Sequence, residues 1–123
     1  MPIKYVRIIL VAVATEVLAI LALVLAIIAF GPSDPDAAQV FAEKTGYWLG
    51  PLAGFVFCLI GGWFVARNLA SHQLINGLLV GVVAAIIDIA LLFAMGSEFQ
   101  LIFVASNTGR VVAGLIGGWL GKL

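Results

Sequence analysis

The sequence predicts an all-α integral membrane protein: a four-helix transmembrane bundle formed as a tandem repeat of two parallel helical hairpins. Three observations carry this prediction: an apolar composition, four apolar runs of bilayer length, and a five-residue segment that recurs. The 123 residues are 64% hydrophobic and 10% charged, against about 45–50% and about 25% in a soluble domain. That balance excludes a soluble enzyme, a nucleic-acid binder and a disordered tail. Six basic and six acidic residues cancel, so no basic footprint for nucleic acid exists. The single cysteine, Cys58, has no disulfide partner in the chain and lies in an apolar run. One transmembrane domain, residues 1–123, is the expected organisation.

A hydrocarbon core about 30 Å thick needs about 20 apolar residues at 1.5 Å each. Four such runs are present, at about 3–30, 47–66, 74–95 and 99–120. The first stops at Gly31-Pro32, because proline cannot continue a helix. Its apolar stretch exceeds that of a cleaved signal peptide and carries Glu16 at its centre, so it is read as a retained helix. The second ends at Arg67-Asn68 and the third at Gly96-Ser97. The fourth contains the polar stretch Ser106-Asn107-Thr108-Gly109-Arg110, but a helix starting only at Arg110 would be too short to span. Residues 31–46 form the longest polar connection and are expected as an outer loop. Within it Asp34-Pro35-Asp36 predicts a short interfacial helix, with Asp34 as N-cap and Pro35 in the first turn.

Orientation follows from the basic residues. Lys4, Arg7, Arg67 and Lys122 flank one side, and only Lys44 flanks the other. The excess places both termini in the cytoplasm. Tyr47 and Trp48 then fall at the outer interface, and Tyr5, Trp63 and Trp119 at the inner one, as interfacial aromatics do.

Leu59-Ile60-Gly61-Gly62-Trp63 recurs as Leu115-Ile116-Gly117-Gly118-Trp119, each followed within four residues by a base. Both hairpins would start on the same side, so the repeat would have its pseudo-two-fold along the membrane normal. Gly46, Gly50 and Gly54 recur every fourth residue, and Gly114/Gly118 and Gly117/Gly121 form two overlapping pairs. In lipid, helices associate through van der Waals contact, and small residues let their backbones approach. These glycines are expected to pack helices of the chain and of a second copy, giving a homo-oligomer. Pro51 after Gly50 removes a backbone donor and predicts a local irregularity.

Glu16, Asp88 and Arg110 each fall within an apolar span, where an ionised side chain costs about 2.5–3.5 kcal/mol on the insertion scale. Glu16 shares a helical face with Ala12, Thr15 and Ala19, Asp88 with Gly81, Ala84 and Ala85, and Arg110 with Ser106, Ala113 and Gly114. All three therefore project toward other helices, away from lipid. Two chemistries fit. The guanidinium can bridge both carboxylates as a helix-packing ion-pair network. Alternatively, two acids against one base leave an excess carboxylate, which must be protonated or take a cation. No serine has a recognisable His/Asp partner, and no His, Cys or Glu spacing matches a metal or haem site, so neither an enzyme nor a cofactor is expected. The only histidine, His72, falls in a polar turn.

Ala12-Val13-Ala14-Thr15-Glu16-Val17 resembles the first-helix motif A-x-x-x-E-V of the small multidrug resistance transporters. Their glutamate binds protons and cationic substrates in a four-helix chain of similar length, and the resemblance implies Glu16 as a coupling carboxylate. It covers six residues. The family's aromatic motifs in helices two and three are missing, Asp88 and Arg110 are additions, and the basic asymmetry departs from the antiparallel dimers common in that family. Separately, Gly61-Gly62-Trp63-Phe64-Val65-Ala66-Arg67, Gly77-Leu78-Leu79-Val80-Gly81 and the glycine-rich last helix are similar to uncharacterised small bacterial four-helix membrane proteins. The function expected is translocation of a proton, cation or small polar solute at Glu16, Asp88 and Arg110. The competing class is a non-catalytic structural or accessory subunit held together by the same three residues.

Overall fold

A computed structural model describes residues 3–123. Among them are four α-helices and no strand: α1 Tyr5–Phe30, α2 Pro35–Ala66, α3 Gln73–Ala94 and α4 Leu101–Lys122. Each is long and apolar enough to cross a bilayer.

The expected outer loop at 31–46 and the separate start of helix two near Tyr47 are corrected. The helix begins at Pro35 as its cap residues predict, with the Ala37 N–H donating to Asp34 Oδ2 at 3.0 Å. It then continues without a break through Pro51 to Ala66. Apolarity marks where a helix enters lipid, whereas helicity depends on propensity and local pairs such as Gln39 Nε2 to Glu43 Oε1, 3.1 Å, one turn apart. The 32 residues extend about 48 Å, so the first turns of α2 reach beyond a hydrocarbon core of about 30 Å. The polar stretch in α4 likewise leaves that helix unbroken. Asn107 Nδ2 donates to the Phe103 carbonyl one turn back, at 2.9 Å.

The interior is arranged in layers. Ile8, Val65 and Val80 form one, and Ala12, Cys58, Ala84 and Ala113 the next. Glu16, Gly54, Asp88 and Arg110 follow. Moving from α1's start toward its centre thus descends the numbering in α2 and α4 and ascends it in α3. The helices alternate in direction, with the start of α1 and the end of α4 on one side. α4 packs against α2 and α3, while α1 packs across α2 and α3 and makes no close backbone approach to α4.

Glycines close the half nearer the chain ends. A β-carbon at Gly114 would lie 2.8 Å from the Gly81 nitrogen, and one at Gly118 would lie 2.6 Å from the Gln73 carbonyl oxygen. Gly117 faces the Trp63 nitrogen at 2.8 Å, and Gly121 faces the Arg67 nitrogen at 2.9 Å. Backbone stands against backbone here, leaving no room for any side chain. At the same end the Lys4 N–H donates to Asn76 Oδ1 at 2.9 Å, fixing the start of α1 to α3. His72 adopts φ 61° as α3 begins, and its Nδ1 lies 2.8 Å from Ser71 Oγ.

Candidate functional site

The three intramembrane charges meet in one cluster. Arg110, on α4, directs Nε–H to Glu16 Oε1 on α1 at 2.7 Å, with both side chains about 95% or more buried (4% and 5% exposed). Its NH1 group donates to Ser106 Oγ, one turn earlier on the same helix. Its NH2 group lies 3.6 Å from Asp88 Oδ1 on α3, beyond hydrogen-bond distance. The ion pair with Glu16 thus ties α1 to the one helix whose backbone it does not approach.

Gly54 determines where the guanidinium can lie. A β-carbon there would fall 2.5 Å from its central carbon and 2.9 Å from Nε. Of the stripe expected to pack helices, Gly54 therefore seats a side chain. Gly46 meets only the tip of Leu23, at 3.9 Å, and Gly50 has nothing within 4 Å. These two line a cavity. In α4, by contrast, Gly114, Gly117, Gly118 and Gly121 all meet α2 or α3 of the same chain.

That cavity has a volume of about 800 Å³. Glu43, Lys44 and Gln100 stand at the end remote from the chain termini, and Asp88, Ser106 and Arg110 at its floor. Glu16 is not part of the lining. The two carboxylates consequently differ: Glu16 is enclosed and hydrogen-bonded, whereas Asp88 keeps 21% of its side chain exposed. Among the described residues Asp88 receives no hydrogen bond, and the 3.6 Å approach of Arg110 is its ion pair. The floor therefore offers a carboxylate with open acceptor capacity beside a guanidinium whose strongest bonds point elsewhere.

The cavity and its mouth are not evident from the run lengths. The signal for them is periodic: Glu43, Tyr47, Gly50, Pro51 and Gly54 recur at helical spacing, and the first four line the cavity while Gly54 carries its floor. Because residues 35–46 are helical, Glu43 and Lys44 reach the lining of the cavity. A smaller apolar groove of about 400 Å³ runs between α3 and α4 and shares Leu92 and Phe103 with the cavity as a common wall.

Fold and site together define a class: a helical membrane protein with a buried ion pair at its core and a cavity floored by Asp88, Ser106 and Arg110. Neither known protein families, nor curated proteins, nor solved structures yield a match to this chain.

Proposed function

We propose that the chain takes a cation or small polar solute into the cavity, with Asp88 as the carboxylate that receives it, and passes it across the bilayer. The observation that carries this reading is the asymmetry of the acids: Arg110 is committed to Glu16, leaving Asp88 open to a cavity that leads out of the bundle. A carboxylate deep in a membrane protein and without a full counter-charge attracts a cation or a proton. The resemblance of the first helix to small multidrug resistance transporters would place coupling at Glu16; the enclosure of Glu16 by Arg110 favours Asp88 instead. Passage to the other side requires the glycine-packed half to part.

The second reading, an accessory subunit, draws support from the buried Glu16–Arg110 pair, which links two otherwise separate helices. Proteoliposome flux of protons, small amines and neutral amino acids separates the two. Asp88→Asn is expected to abolish flux while leaving the protein folded; a folded wild type that carries none of these, with Asp88→Asn unchanged in every respect, refutes the transport reading.

We place both termini in the cytoplasm on the basic asymmetry alone, and a bacterial inner membrane on the resemblance to small bacterial four-helix membrane proteins alone. Reporters fused after Leu123 and within residues 32–45 test this, and a cytoplasmic signal from the latter overturns it. The tandem repeat rests on the recurring Leu-Ile-Gly-Gly-Trp. Its copies pack differently: Gly62 faces Gly114 of α4, whereas Gly118 faces Gly77 of α3. Homo-oligomerisation would use surfaces other than the α4 glycines, which are consumed within the chain; the mass of the detergent-solubilised protein tests it.

A further inference from the structure

Resting on that reading, the floor of the cavity narrows the class of ligand. Any cation close enough to pair with Asp88 also approaches the guanidinium 3.6 Å from that carboxylate, and like charges repel. Any simple anion drawn to Arg110 meets Asp88 in the same way. A molecule carrying both charges a few bonds apart avoids both conflicts.

The donors and acceptors agree. A guanidinium has five N–H groups. One is taken by Glu16 and one by Ser106, which leaves three, two of them on the NH2 group that stops short of a hydrogen bond to Asp88. Asp88 supplies the acceptors. The lining carries both signs at both levels, Glu43 with Lys44 at one end and Asp88 with Arg110 at the floor. The volume of about 800 Å³ lies within the range of about 300–1,000 Å³ typical of small-molecule pockets. Leu23, Leu92, Ile102 and Phe103 add an apolar wall able to hold a side chain.

We propose that the cavity binds a small zwitterion of the amino-acid type, its ammonium on Asp88 and its carboxylate on the free N–H edge of Arg110 beside Ser106. Charge-assisted hydrogen bonds at both ends give recognition that neither half of the molecule commands alone.

The test uses matched probes on the full-length protein in nanodiscs, with empty nanodiscs as control, by calorimetry. One set is leucine, its decarboxylated amine 3-methylbutylamine and its deaminated acid 4-methylpentanoate. A second set is phenylalanine, phenethylamine and 3-phenylpropanoate. In at least one set the amino acid is expected to bind more tightly than its amine and its acid by about tenfold or more, and Asp88→Asn should erase its advantage over the acid. Amines that bind as tightly as the amino acids overturn the zwitterion and leave cation binding at Asp88 standing. Acids that bind as tightly overturn it as well. If none of the six binds, this inference falls, and the cation reading is decided by the proteoliposome flux of protons and small amines.

Discussion

The two halves of the bundle use the same kind of sequence to opposite ends. Toward the chain termini, Gly62, Gly77, Gly81, Gly114, Gly117 and Gly118 bring α2, α3 and α4 into backbone contact. Toward the α1–α2 and α3–α4 connections, Gly46 and Gly50 face the cavity, and the nearest large group to the glycine stripe is a guanidinium over Gly54. A glycine at helical spacing thus permits close approach without ensuring it. What decides is whether the facing helix also presents small residues. α4 does so through Gly114 and Gly118, but its earlier turns carry Ile102, Phe103 and Ser106, which line the cavity.

The sharpest way to break this comparison is to remove the centre that joins the halves. Arg110→Leu leaves Glu16 buried without a partner, and breaking a buried pair from one side costs about 3–5 kcal/mol. Thermal unfolding in detergent should show the loss. Glu16→Gln in the Arg110→Leu background should recover more of it than Asp88→Asn does, because Glu16 holds the buried hydrogen bond. Equal rescue by both would mean that the two acids share Arg110 alike.

Next in size is a branched side chain in the closed half. Gly118→Ile must force apart the Gln73 carbonyl and the Gly77 backbone, and overpacking costs about 1–3 kcal/mol or more where backbone cannot yield. Gly50→Ile faces open space and should leave the unfolding temperature nearly unchanged. Comparable losses from the two would erase the distinction between the halves.

Chemical access gives a qualitative check. In a Cys58→Ala background, Ser106→Cys should react with a polar, membrane-impermeant thiol reagent applied to the cavity side of proteoliposomes. Ala113→Cys, fully buried in the adjacent layer, should not react from either side. Labelling of both would show that the closed half opens to water.

The smallest effects come from the partly exposed groups. Asp88→Asn should change stability by less than about 1 kcal/mol, as for other solvent-reached ion pairs, even where it removes ligand binding. Gly50→Ala should be neutral or stabilising by up to about 1 kcal/mol, since alanine favours helix and meets nothing within 4 Å. Loss of stability in Gly50→Ala, measured by the same unfolding assay, would show that a neighbour covers this position.

The sequence by itself determined that the chain is helical and able to span a membrane four times, because bilayer thickness converts directly into run length. It also determined that a helix starts at Asp34-Pro35, though not that this helix is α2, since Asp34 and Pro35 act through bonds within one turn. Spacing alone put Ser106 within reach of Arg110 and kept Glu16, Asp88 and Arg110 on small-residue faces. Only the tertiary structure decided which acid Arg110 holds, because that depends on how far apart three helices stand at one level. It decided as well that Gly54 seats a guanidinium while Gly114 meets a backbone. A helical face lists what a helix can offer; the neighbour that receives it is fixed by packing across segments distant in sequence.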